Sequence, residues 1–128
     1  LEGLGASLAA ERRNDEDIKN LEELEVEFEE AVRTQNIDML LKKDIEFHEC
    51  IFKAANNKKL EKMINTLWEQ VQRFRITYVS DSNASLSLID EHQSILNAIK
   101  EGNIADSKKF AIKHIEKAEQ FMLEHCTK

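Results

Sequence analysis

The sequence predicts an all-α domain, an antiparallel bundle of six to seven helices. Three observations carry that prediction. The chain of 128 residues has no proline and only three glycines, where average usage would give roughly six and nine. Its 41% hydrophobic content, with six Phe and one Trp, is enough for a core. Apolar residues recur at spacings of three and four along most of its length, the period of an amphipathic helix. The deficit of turn formers argues against a β-sandwich or barrel and against a proline-rich disordered chain. At this length residues 1–128 form one domain that buries roughly two thirds of its unfolded surface and stands without disulfides or a structural metal.

Leu1, Leu4 and Leu8 mark a first short helix that runs out at Glu11-Arg12-Arg13. Asn14 with Asp15, Glu16 and Asp17 supplies a cap and first-turn acids for a second helix, whose inner face carries Ile18, Leu21, Phe28 and Val32 and which ends near Gln35. A third begins at Asn36, leads its stripe with Ile37, Leu40 and Leu41, and stops near Ala55-Asn56-Asn57. The fourth carries the longest seam, Leu60, Ile64, Leu67, Val71, Phe74 and Tyr78. Residues 80–85, Ser-Asp-Ser-Asn-Ala-Ser, read as a polar loop. A fifth helix carries Leu88, Ile95 and Ile99 and closes at Gly102. Asn103 caps a sixth, with Asp106 in its first turn and Phe110, Ala118 and Phe121 inside. Connections this short make neighbouring helices antiparallel.

Eighteen basic against 25 acidic residues leave a net charge of −7, a field that repels phosphate backbones and makes these residues a poor nucleic-acid binder by themselves. There is no run of 18 apolar residues and no signal-peptide pattern, so the expected setting is cytoplasmic and away from membranes. Cys50 and Cys126 read as reduced thiols. The chain opens at Leu1, already in helical register, and reads as a piece of a longer protein.

Four ionisable residues interrupt the inward stripes. They are Asp44 and His48 in Ile37-Leu41-Asp44-His48-Ile51-Ala55, His92 in Leu88-His92-Ile95-Ile99, and His114 in Phe110-His114-Ala118-Phe121. Unpaired burial of such groups costs several kcal/mol, so they need partners. Asp44 and His48 lie one helical turn apart. His92 precedes the Gly102 turn by ten residues and His114 follows it by twelve, which puts them at one level of an antiparallel pair. With the third helix beside that pair, all four converge. Three imidazoles and a carboxylate suit a divalent transition metal, Zn²⁺ first, with Ni²⁺, Mn²⁺ or Fe²⁺ as alternatives. The competing reading is ordinary: each histidine alone is a core residue bonded to a carbonyl, and Asp44-His48 is a local ion pair. His125, near the end, stays outside the set.

Asp44-Ile45-Glu46-Phe47-His48 followed by Ala54-Ala55-Asn56-Asn57-Lys58-Lys59-Leu60, and Glu91-His92-Gln93-Ser94-Ile95-Leu96-Asn97-Ala98-Ile99-Lys100-Glu101-Gly102-Asn103, resemble segments of the FCD domain, the effector-binding C-terminal domain of FadR-type regulators in the GntR superfamily. His114 falls where that family places its last histidine. Asn56 and Asn103 stand where the family has glycine and aspartate. The resemblance implies a metal held by Asp44, His48, His92 and His114, a small organic acid as effector, a homodimer, and an upstream winged-helix domain that binds DNA. Arg75, on the flank of the fourth seam, is the first candidate to clamp the acid. Arg73 lies farther round toward solvent, and Trp68 is placed to wall a pocket. For Arg75 the competing role is a surface arginine, and for Trp68 a core aromatic.

The expected role is therefore sensing and not catalysis. A mononuclear metalloenzyme would need a general base near the metal, and the nearest in sequence, Glu46 and Glu91, lie off the inward stripe. No core-facing pair of Glu-x-x-His motifs marks a di-iron bundle. The third alternative is a metal-free structural interaction domain.

Overall fold

The computed structural model describes residues 2–125, with side chains described except at 71–73 and 125. Among the described residues there are six helices and no strand: α1 (Glu2–Arg12), α2 (Asp15–Thr34), α3 (Ile37–Ala54), α4 (Lys58–Ser80), α5 (Ser82–Glu101) and α6 (Ile104–His125). None is long and apolar enough to cross a membrane. In a chain without proline, short polar side chains stop and start the helices. Asn14 and Asp17 form a capping box at α2, Asn36 accepts from the Met39 N–H at α3, and Asn57 from the Leu60 N–H at α4. Asn103 accepts from the Asp106 N–H at 3.0 Å to start α6. Such caps are each worth about 1 kcal/mol. Gln35, Asn56 and Gly102 take the left-handed conformation at the turns, with φ of 54°, 53° and 71°.

Three expectations change. Residues 80–85 are not a loop: Asp81 alone separates α4 from α5, serving as C-cap of one and N-cap of the other, with its carboxylate on the Ala84 N–H at 2.9 Å. Serines suit a first helical turn as well as a loop, and Ser85 satisfies its hydroxyl on the Ser82 carbonyl. On α1 the inward face is small and not leucine-rich: Gly3, Gly5, Ala6, Ala9 and Ala10 are buried, while Leu4 is 49% exposed. On α4, Leu67 is exposed and Trp68 turns toward the core, against the cluster of Phe52, Leu60 and Ile64.

The small face lets α1 lie close against α3, α5 and α6. At its end Arg12 donates to the Ala55 and Asn56 carbonyls beyond α3, and Arg13 to the Ile99 and Lys100 carbonyls that finish α5. Beneath α1, Leu21, Phe47, Ile51, Ile95 and Ile99 form one apolar cluster. Toward the other end Phe28, Leu40, Tyr78, Val79, Leu88 and Ala118 form another. The His92 ring lies between them, stacked on Phe47 at 4.3 Å and tilted against Phe28 at 4.6 Å.

The close approach of α1 is testable. A Cβ at Gly5 would sit 2.2 Å from the ring of the buried Phe52, whereas one at Gly3 would sit 2.8 Å from Cγ1 of the more exposed Ile112. Overpacking costs about 1–3 kcal/mol against about 1 gained in helix propensity. Denaturant melts should show Gly5→Ala less stable than wild type by up to about 2 kcal/mol, and Gly3→Ala less destabilised than Gly5→Ala.

Candidate metal centre

Helical phase on α3, α5 and α6 brings Asp44, His48, His92 and His114 together in the interior, none more than 2% exposed. The three imidazoles each offer a nitrogen, and these lie within 4.8 Å of one another, an arrangement able to hold a metal ion. The His48 and His114 rings stack at 5.1 Å, and His92 stands edge-on to both. Asp44 borders this group: its Oδ1 is 3.1 Å from His92 Nε2 and 3.6 Å from His48 Nε2.

Each ring is backed by its own carboxylate on the opposite nitrogen. His92 Nδ1 donates to Glu25 Oε2 at 3.0 Å and His114 Nδ1 to Glu91 Oε1 at 2.8 Å. His48 Nδ1 faces Glu2 Oε2 at 3.4 Å, outside hydrogen-bond geometry. With Nδ1 as the donor, the Nε2 atoms of His92 and His114 can offer a lone pair to a cation, and His48 Nε2 can do so once its ring gives up the extra proton. His48 Nε2 and His114 Nε2 face each other at 3.3 Å, a pairing that is repulsive unless a proton or a cation lies between them. Imidazoles that ligate metals typically give their second nitrogen to a carboxylate in this way. Glu2, Glu25, Asp44 and Glu91 surround the centre, with Arg75 as the permanent cation among them. The donor set and the charge balance both fit a dication.

Arg75 is buried, as a surface arginine would not be, and its fork is engaged from within: Nε donates to Asp44 Oδ2 at 2.7 Å and Nη2 to Oδ1 at 3.0 Å. Its guanidinium lies 5.3 Å from the Trp68 ring and 5.1 Å from Tyr78. Trp68 spends its N–H on Glu2 Oε1 at 3.1 Å and tilts over His48, so it lines the centre while packing the core. The Arg73 side chain lies outside those described, as does Cys126; Cys50 is a free thiol that burial pushes up to about 11. Glu46 sits at the edge of α3 beside Lys43. Glu91 corrects the expectation that it lies off the site, because the α5–α6 interface is broad enough to take it to His114, with Ser87 on its second oxygen.

Glu25 and Glu2 are the residues that sequence reasoning missed. Glu25 occupies the same seam as Leu21, Phe28 and Val32, and the phase argument applied to the histidines would have found it. Glu2 depends on how α1 docks, which no local pattern states.

Burial pulls His48 down, but Glu2 and Asp44 outweigh it and lift the ring to about 9. Burial pushes His114 down to about 4 against its bond to Glu91, and the charges of His48, Arg75 and His92 add to the depression. Burial also opposes the charge on Asp44, yet Arg75 and the imidazoles hold its carboxyl well below the usual range. These shifts fix the sign of a pH effect in metal-free protein. The raised His48 stabilises fully below its unfolded value near 6.5 and loses that contribution as pH climbs through about 9. The depressed His114 stabilises above 6.5 and loses its contribution as pH falls toward about 4. Thermal melts in chelator should therefore peak near neutrality, and His48→Gln should flatten the alkaline limb; an unchanged limb would refute the assignment.

The chain matches the FCD domain family over residues 1–117, a span that includes Glu2, Glu25, Asp44, His48, Arg75, His92 and His114. No curated protein matches it. The match covers 117 of 128 residues, and the chain belongs to the FCD family, the FadR C-terminal, effector-binding domain of GntR-type regulators.

Proposed function

We propose that this domain binds a divalent transition metal, zinc first, through Asp44, His48, His92 and His114, and uses it to sense a small organic acid. The observation that carries the reading is the convergence of three buried imidazole nitrogens whose opposite sides face carboxylates. Four protein ligands would close a tetrahedral zinc site, whereas a metal that takes five or six ligands would keep positions open for a carboxylate oxygen. Asp44, held by Arg75 through both oxygens, presents Oδ1 toward the imidazoles. A groove of about 190 Å³ between α5 and α6 reaches His114 and Glu91 and is lined by Asp90, Lys113 and Lys117.

In the whole protein, the acid would favour one arrangement of helices and so shift a DNA-binding winged-helix domain, within a homodimer. The shift can be no larger than the acid's differential affinity for the two arrangements. Binding is favoured over turnover because Glu91, the nearer candidate base, is bonded to His114 and Ser87, and Glu46 faces Lys43.

Protein purified without added metal should carry close to one equivalent of a transition metal, and His92→Ala should lose it. Zn²⁺ affinity should rise from pH 6.5 toward 9 as His48 gives up its proton. Less than about a tenth of an equivalent, together with melting unchanged by chelator, would refute the metal reading.

A further inference from the structure

Glu25 is the one carboxylate in the apolar seam of α2, between Leu21 and Phe28. A glutamate there carries a cost that a leucine would not. Its Oε2 accepts from His92 Nδ1 at 3.0 Å, while its Oε1 is buried with no hydrogen-bond partner. The His92 ring stacks on Phe47 and packs tilted against Phe28, so its plane is constrained by packing. Packing does not fix which nitrogen carries the proton. On the inner side His92 Nε2 faces Asp44 Oδ1 at 3.1 Å, an acceptor that by itself would draw the proton to Nε2 and leave the ring unable to ligate. Glu25 competes for that proton from the outer side.

We infer that Glu25 is a positioning residue of the metal centre: it holds the His92 proton on Nδ1, keeping the Nε2 lone pair directed at the metal. The inference rests on the metal reading but has a readout independent of it. Glu91 serves His114 in the same way with its other oxygen held by Ser87, whereas the other oxygen of Glu25 has no partner, so the Glu25 carboxylate answers to His92 alone.

The test compares Glu25→Leu, Glu25→Gln and, as a control on the same helix, Glu29→Gln. Leucine completes the seam but leaves the buried His92 Nδ1 without its acceptor, so the metal-free Glu25→Leu protein should melt below wild type, and Glu25→Gln, which keeps an acceptor, should melt closer to it. Its Zn²⁺ affinity, measured against a competing chelator, should fall about 10- to 100-fold. Glutamine, whose amide oxygen can still accept from Nδ1, should recover most of the loss, and Glu29→Gln should stay within about twofold of wild type. In metal-free protein, ¹H–¹⁵N spectra of the ring should show a proton on His92 Nδ1 in wild type, where Glu25 faces it, and on Nε2 alone in Glu25→Leu. Unchanged Zn²⁺ affinity or an unchanged tautomer in Glu25→Leu would overturn the inference. A wild type that takes up no Zn²⁺ while Glu25→Leu still switches the tautomer would instead sink the metal reading and leave the role of Glu25 standing.

Discussion

The two-pronged bond between Arg75 and Asp44 is the interaction on which the interior depends. Asp44 is fully buried, and a carboxylate without a partner there would cost several kcal/mol or take up a proton. Arg75 keeps it ionised and fixes the plane of its two oxygens. The position of Oδ1 toward His92 and His48 follows from that plane. Trp68 and Tyr78 in turn flank the guanidinium, and Trp68 carries the contact on to Glu2 and α1. One ion pair between α3 and α4 thus organises groups on α1 and α5.

Around that pair Glu2, Glu25 and Glu91 add three more carboxylates that are largely shielded from solvent. The stacked His48 and His114 rings respond in opposite directions, one drawn up to about 9 and the other pushed down to about 4. Identical side chains 5.1 Å apart differ because burial, aided by positive neighbours, outweighs Glu91 at His114, whereas Glu2 and Asp44 outweigh burial at His48. A proton on His48 in metal-free protein takes the place in the charge balance that a cation would otherwise fill.

Much of this was legible in sequence because helical phase is a strong signal in long, capped helices. The six elements and the convergence of Asp44, His48, His92 and His114 all follow from spacing and from the Asn and Gly stops. What escaped depended on which helices touch. Leu4 and Leu67 have the right period, but α1 docks through glycine and alanine because close approach outweighs side-chain bulk there. Trp68 takes the inward place beside Leu67 because Glu2 offers its indole N–H a partner. Arg75 was legible as an anion clamp by its chemistry; that its anion is Asp44 was not, because a sequence does not say which carboxylate lies opposite. Glu25 was hidden by the habit of reading acids on a helix as solvent-facing.

Arg12 and Arg13 have a further consequence. Arg12 grips the backbone at Ala55, seven residues past His48, and Arg13 grips it at Ile99, seven residues past His92. At 1.5 Å per residue each histidine stands about 10 Å from its anchor. Two adjacent side chains on one helix end therefore act as a yoke across α3 and α5, setting two arms of equal length. Sliding one arm along the other would break a bond at the yoke before it moved a ring, so the height at which the two imidazoles meet is gauged from outside the centre, by the end of α1.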